Sequence, residues 1–182
     1  FLDVKMHDIP NTVRGGARSI ARLGVDMFNV HAAGGRAMMA AAMDGVRDAL
    51  QAGDADSAPI VIAVTQLTST SEKVLREEIG IAAPMEDTVV RYAAMAREAG
   101  LQGVVASPLE VGAIKGACGA DLLTVTPGIR PNWAEAGDQT RITTPADAVA
   151  GGTDFLVVGR PIVANADPAQ ALDLILKEMT GA

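Results

Sequence analysis

Cysteine is nearly absent. Cys118 is the single one in 182 residues, so no internal disulfide framework and no multi-cysteine zinc site can be built. Histidine is almost as scarce: His7 and His31 are the two, which makes a histidine-based metal centre a poor reading. One Trp, one Tyr and three Phe give little stacking surface, and 15 basic residues stand against 22 acidic ones for a net charge of −7. Such a chain lacks both the charge and the stacking groups of a nucleic-acid surface, so no nucleic-acid partner is expected. No apolar run approaches the roughly 18 residues of a membrane span, so no membrane partner is expected either. What is abundant is core material. Hydrophobic residues make up 49% and charged residues 20%, a balance that excludes disorder. No linker or composition break interrupts the chain, and residues 1–182 are expected to form one domain.

Strand-like and helix-like segments alternate with a steady beat. Apolar runs at Phe1–Lys5, Val25–Val30, Ile60–Thr65, Gly103–Ala106, Leu122–Val125 and Phe155–Val158 predict six strands. Helix starts are marked by Asp8-Ile9-Pro10, Gly34-Gly35, Ser107-Pro108-Leu109-Glu110, Thr144-Pro145 and Asp167-Pro168. Val13, Ala17, Ile20 and Ala21 recur at helical spacing before Gly24, and a further helix is predicted over Glu86–Ala99. Near-continuous apolar strands between helices indicate a parallel sheet covered by helices.

Two architectures compete for that pattern. A doubly wound sheet usually carries a Gly-rich phosphate turn after its first strand, and none is present. A (β/α)₈ TIM barrel gathers polar residues just past the carboxyl ends of its strands. Asp3, Lys5 and Asp8, His31, Thr65 and Thr68, Ser107, Thr126 and Arg130, and Gly159 with Arg160 all fall at such places. The expected fold is therefore α/β, a (β/α)₈ barrel with six of its eight units visible. A barrel typically needs about 250 residues. The sequence also opens inside a strand pattern. We therefore expect it to be N-terminally incomplete, with roughly two units preceding it.

The sharpest chemical feature is Asp3-Val4-Lys5-Met6-His7-Asp8. Residues two apart on a strand share a face, so Asp3 and Lys5 point the same way at a strand's carboxyl end. Burying either charge is costly without a partner. The pair is either a structural ion pair or an acid/base pair, with Asp8 in the following loop as a second carboxylate. A lysine held between carboxylates keeps its proton and can deliver it to a carbanion. The second feature lies near the other end of the chain. Gly159-Arg160 closes one strand, and Thr126-Pro127-Gly128-Ile129-Arg130 follows the strand before it. Glycine admits an anion to the backbone N–H groups and arginine adds a bidentate charge. Either turn alone is as well explained by ordinary loop chemistry with a solvated arginine. Two on the final strands favour phosphate, with Gln139 in the long loop between them as a further donor.

Five segments together carry a family resemblance. Phe1-Leu2-Asp3-Val4-Lys5-Met6-His7-Asp8-Ile9-Pro10-Asn11-Thr12 resembles the signature of the orotidine 5′-monophosphate decarboxylase family. Val30-His31-Ala32-Ala33-Gly34-Gly35, Val64-Thr65-Gln66-Leu67-Thr68-Ser69-Thr70, Val125-Thr126-Pro127-Gly128-Ile129-Arg130 and Val157-Val158-Gly159-Arg160-Pro161-Ile162 match its bacterial branch in order and spacing. The resemblance covers essentially the whole chain.

It implies a cytoplasmic, homodimeric barrel that converts orotidine 5′-monophosphate to UMP and CO₂ in pyrimidine biosynthesis with no metal or organic cofactor. Lys5 is then the proton donor to C6 of the pyrimidine, and Asp3 sits beside the departing carboxylate. Asp8 joins from the partner subunit, with Ile9 and Thr12 lining the shared site. Thr68 contacts the pyrimidine edge and Pro127 belongs to the substrate-binding turn. Gln139, Gly159 and Arg160 hold the phosphate with Arg130 nearby, and the Pro131–Thr140 loop is the lid. A lysine and a ribose-binding aspartate that the family carries on its first two strands have no counterpart here. A truly absent segment would leave two open strand edges and an inactive, aggregating barrel. A Mg²⁺-dependent phosphosugar decarboxylase or synthase of the same superfamily shares the Asp-x-Lys strand, and His7-Asp8-Ile9-Pro10-Asn11-Thr12 speaks against it. His31 is read as structural and His7 is left unassigned. Cys118 is inert packing, and Met38, Met39 and Met43 fill the core.

Overall fold

The computed structural model describes residues 1–134 and 143–181. Its strands are β1 (Leu2–Met6), β2 (Met27–His31), β3 (Ile60–Val64), β4 (Gly103–Val105), β5 (Leu123–Thr126) and β6 (Phe155–Leu156). They form one six-stranded sheet, parallel throughout, in the order β1-β2-β3-β4-β5-β6. Each strand lies beside the one before it in sequence, so the winding never reverses. That is the winding of a barrel wall; a doubly wound sheet reverses part-way across. The helices are α1 (Pro10–Ala21), α2 (Gly35–Gln51), α3 (Met85–Glu98), α4 (Val111–Cys118), α5 (Pro145–Ala150), α6 (Arg160–Val163) and α7 (Pro168–Thr180). Between β3 and α3 lies a single wide helical turn at Val74–Glu78.

Strand alternation sorts the side chains into two compartments. Phe28 and Val30 of β2, Val61 and Ala63 of β3 and Val104 of β4 point to the helix layer. There they meet Met38, Met39 and Val46 of α2, Val89 of α3 and Ile114 of α4. Each fully buried side chain of this size contributes about 1.5–3 kcal/mol. Residues of opposite parity face the barrel interior, where Met27, Ile62 and Val125 form a small separate cluster. Helix α1 buries Val13, Ala17, Ile20 and Ala21, the face its periodicity predicts. It packs so closely on α2 that a Cβ at Gly45 would collide with the Arg14 carbonyl. Arg14 Nε donates to Asp48 Oδ2 at 2.7 Å across the same seam. Met38 and Met39 are core residues as expected, and Cys118 is buried, which pushes its thiol up and leaves it unreactive.

Three of the predicted caps form, at Ser107 on the short turn Pro108–Glu110 that leads into α4, at Thr144 and at Asp167, whereas α1 starts at Ile9-Pro10 with no side-chain cap. Ser107 and Glu110 close a capping box, the Ser107 N–H donating to Glu110 Oε2 at 2.9 Å. Thr144 Oγ1 accepts from the Asp147 N–H at 3.1 Å, and Asp167 Oδ1 from the Gln170 N–H at 3.0 Å.

At the amino ends of β5 and β6 a polar knot ties strand to helix. Lys115 Nζ of α4 donates to Asp154 Oδ2 at 2.7 Å, to the Leu122 carbonyl at 2.8 Å and to the Ala120 carbonyl at 3.0 Å. Asp154 also accepts from the Thr124 N–H at 2.7 Å and the Thr124 hydroxyl at 2.9 Å. Burial pushes the Asp154 carboxyl up, but the bonds from Lys115 and Thr124 outweigh it and hold the group below its ordinary value. β1 and β6 are the sheet's edges, and Val4 and Phe155 on them are exposed.

Candidate active site

At the carboxyl end of the sheet, β1 does not run straight. Leu2 pairs with Phe28 and Met6 with Val30, so four steps along β1 match two along β2. The surplus backbone bulges, and Lys5 sits in the bulge at φ 47°, the left-handed region, where it stands as the only non-glycine among the described residues. A non-glycine residue there costs about 1–3 kcal/mol and persists only if its surroundings hold it. Bulges of this kind re-aim a side chain. Here the ammonium lies 2.6 Å from both Asp3 carboxylate oxygens. The same-face expectation for Asp3 and Lys5 is therefore met.

Asn29 of β2 completes the cluster. Its side chain lies between the two paired positions of β2 and is 1% exposed. Its Oδ1 accepts the Lys5 N–H at 2.7 Å, and its Nδ2 donates to Asp3 Oδ1 at 2.7 Å. Those two bonds fix which end of the amide faces which neighbour. Burial pushes the Asp3 carboxyl up. Hydrogen bonds from Lys5 and Asn29, with the charges of Lys5 and His31, outweigh it and hold Asp3 below its ordinary 3.8. His31 ends β2, and its ring centroid lies 5.6 Å from that of His7. Burial, with His7 and Lys5 beside it, holds His31 below its ordinary 6.5, so it stays neutral near neutral pH.

Asp3, Lys5 and Asn29 open onto a cavity of about 270 Å³, also lined by Thr68, Pro127 and Val157. Three residues further along the last two of these loops, Arg130 and Arg160 line a second cavity of about 350 Å³ with Trp133 and Asn165. Arg130 is buried and its guanidinium donates to the Ile129 carbonyl at 2.8 Å. Gly128 makes its turn at φ 86°, a conformation that favours glycine. The turn is clipped by the Arg130 N–H to the Thr143 carbonyl at 2.9 Å and the Thr143 N–H to the Gly128 carbonyl at 3.1 Å. Gly159 directly precedes α6, and a Cβ there would meet nothing within 4 Å, so an anion has room to approach its backbone.

The remaining predicted residues lie elsewhere. Asp8 is exposed, and its carboxylate accepts the Ile9 N–H at 2.6 Å; within one chain it makes no ion pair with Lys5. Ile9 and Thr12, at the start of α1, are exposed beside it. Gln139 lies outside the described residues, as does most of the Pro131–Thr140 loop. Asn29, Gln66, Ser69, Trp133 and Asn165 line the cavities without having been singled out from sequence. Only Asn29 had a signal: it is an amide in the middle of the apolar run Met27-Phe28-Asn29-Val30.

Comparison with known proteins places the chain in a family. The family model described as "Orotidine 5'-phosphate decarboxylase / HUMPS family" matches residues 1–175. The chain belongs to this family. It is 57% identical over 182 residues to the orotidine 5'-phosphate decarboxylase of Syntrophotalea carbinolica, covering all of this chain and 74% of that protein. It is 54% identical over 179 residues to the protein of the same name from Moorella thermoacetica, covering 98% of this chain and 71% of that one. The crystal structure of orotidine 5'-phosphate decarboxylase from Lactobacillus acidophilus superposes with a TM-score of 0.84 at 45% identity, over 98% of this chain and 74% of that one. The sheet is thus six of the strands of a (β/α)₈ barrel. Among the described residues, no helix is long and apolar enough to cross a membrane.

Proposed function

We propose that this protein decarboxylates orotidine 5′-monophosphate to UMP and CO₂, in pyrimidine biosynthesis, with no metal or organic cofactor. The observation that carries the reading is the Asp3–Lys5 pair opening onto a cavity whose last two loops lead directly to Arg130 and Arg160. The pyrimidine occupies the first cavity, with the Thr68 hydroxyl at its edge. The phosphate lies against Arg130, Arg160 and the backbone at Gly159, with Gln139 as a further donor.

The chemistry follows from charge. The bond from C6 to the carboxylate carbon breaks, CO₂ leaves, and the electron pair stays on C6 with no ring orbital to spread into. The Lys5 ammonium stabilises that pair as it forms and then transfers a proton to C6. Lys5 is left neutral and regains a proton from solvent before the next cycle. Asp3, held ionised, lies beside the departing carboxylate and keeps the ammonium aimed. Phosphate binding is remote from the breaking bond, so its energy aligns the ring and raises the rate as well as the affinity. At −7 the chain does not attract a dianion at long range, and the two arginines supply the local field.

Asp8, Ile9 and Thr12 belong to the reading through a second copy of the chain. They are exposed on one rim, where a homodimer would bring Asp8 to the partner's lysine. Residues 1–182 act as one barrel domain, closed by two further βα units at the open β1 and β6 edges.

The deciding experiment is a decarboxylation assay on the full-length protein, following the absorbance loss of orotidine 5′-monophosphate. Turnover unaffected by EDTA is expected. Loss of turnover in EDTA, or action on a ketose phosphate instead, would replace this reading with that of the metal-dependent relatives.

A further inference from the structure

We infer that Asn29 is a positioning residue for the Asp3–Lys5 pair: its amide holds the Lys5 backbone in the bulge and orients the Asp3 carboxylate. This rests on the proposed decarboxylase reading for its consequence, though its geometry stands without it.

The bulge raises a hydrogen-bonding problem. Four steps of β1 face two of β2, so the backbone between Leu2 and Met6 falls out of the regular ladder. An N–H left in that position needs an acceptor from elsewhere. Asn29 Oδ1 supplies it to Lys5 at 2.7 Å. The acceptor comes from the β2 residue between Phe28 and Val30, the two that bracket the bulge. Lys5 is thereby kept at φ 47°, which extended backbone would not allow. The other end of the same amide donates to Asp3 Oδ1 at 2.7 Å. One planar group thus links the backbone that aims the ammonium to the carboxylate that receives it. At 1% exposure the amide itself is shielded from water, and both of its hydrogen bonds go to these two residues.

A purely structural reading is that Asn29 merely satisfies itself in a buried strand. An apolar residue would serve a strand better there, since a buried amide adds nothing to stability that a well-packed hydrophobe does not. Its two bonds go instead to the two residues of the reactive pair.

The test uses the full-length protein with Asn29→Ala, which removes both bonds, and Asn29→Asp. The aspartate keeps the acceptor for Lys5, loses the donor to Asp3 and adds a negative charge. For Asn29→Ala, kcat falls on the order of 100-fold, while KM and UMP affinity change by no more than about threefold. For Asn29→Asp, kcat is low at neutral pH and recovers relative to the wild type as pH falls, because a protonated aspartic acid again donates to Asp3. The charged and titratable groups facing this point are Asp3 and Lys5 of β1, His31 of β2 and His7 after β1. β3 is apolar throughout, so it adds none.

Should Asn29→Ala not fold, the near-isosteric Asn29→Asp decides alone through its altered pH profile. Carbon NMR of the Asp3 carboxyl gives a readout that needs no turnover: in Asn29→Ala its titration moves to higher pH. Variants with wild-type kcat and an unmoved Asp3 titration would overturn the inference. So would a fall in kcat matched by an equal rise in KM. If the wild-type protein failed to act on orotidine 5′-monophosphate, the decarboxylase reading would fall, and the Asp3 titration would still judge Asn29.

Discussion

Two lysine–aspartate pairs sit at opposite ends of the same sheet, and they have almost the same length. Lys5 reaches Asp3 at 2.6 Å and Lys115 reaches Asp154 at 2.7 Å. Their surroundings differ. Lys115 spends its three protons on one carboxylate and two carbonyls, and its side chain is 17% exposed. Asp154 in turn accepts from a backbone N–H and a hydroxyl. Lys5 is 42% exposed, and among the described residues its ammonium contacts only Asp3. It also stands on a left-handed backbone at φ 47°. A saturated pair on regular structure fastens the barrel. An unsaturated pair on a strained bulge, facing a cavity, keeps bonding capacity for something that arrives. Distance alone would not separate the two; the count of remaining donors does.

Substituting each lysine in turn breaks the comparison most sharply. Lys5→Ala is expected to lower kcat for orotidine 5′-monophosphate by at least about 10⁴-fold while UMP still binds. Lys115→Ala should leave kcat within about threefold of the wild type. Steady-state kinetics beside UMP titration measures both, and equal losses would mean that both pairs serve the fold. Arg160→Ala comes next. It should remove about 2–4 kcal/mol of transition-state stabilisation, since a charged hydrogen bond to phosphate is lost. The ratio of kcat/KM between variant and wild type reads this directly.

The amino-end pair should reveal itself in stability instead. Asp154→Ala is expected to lose about 2–3 kcal/mol in denaturant unfolding, because the Lys115 ammonium and the Thr124 N–H lose their acceptor. Its pH dependence has a definite sign. The folded-state value of Asp154 lies below its ordinary 3.8, so its contribution is complete above about that pH and fades as the pH falls through the lowered value. The gap between wild type and Asp154→Ala should therefore close in acid. Asp3 is also depressed, yet its side chain is 50% exposed, so solvent screening leaves it the smaller effect. Thermal unfolding of Asp3→Ala should show a shift well short of that of Asp154→Ala.

Much of this arrangement was legible in the residues. Strand positions followed apolar runs, and Ser107, Thr144 and Asp167 capped the segments they marked, because caps and periodicity are local properties. The shared face of Asp3 and Lys5 followed from strand alternation. The bulge did not, since nothing in Leu2-Asp3-Val4-Lys5-Met6 announces a left-handed lysine; it arises from the pairing with β2. Asn29 was overlooked for the same reason, as its partners lie 24 and 26 residues away along the chain. Trp133 and Asn165 beside the arginines are likewise brought in by folding. Family motifs pointed to Asp8, Ile9 and Thr12, which lie exposed at the start of α1, away from the Asp3–Lys5 pair, and the proposed second subunit is what would give them a role.

A crystal structure of the full-length protein with UMP bound tests the assignment most directly. The distance from Lys5 Nζ to C6 of the pyrimidine should lie within proton-transfer reach, about 3 Å, with the phosphate against Arg130 and Arg160. An ammonium turned away from the ring, or a phosphate seated away from both arginines, would contradict it.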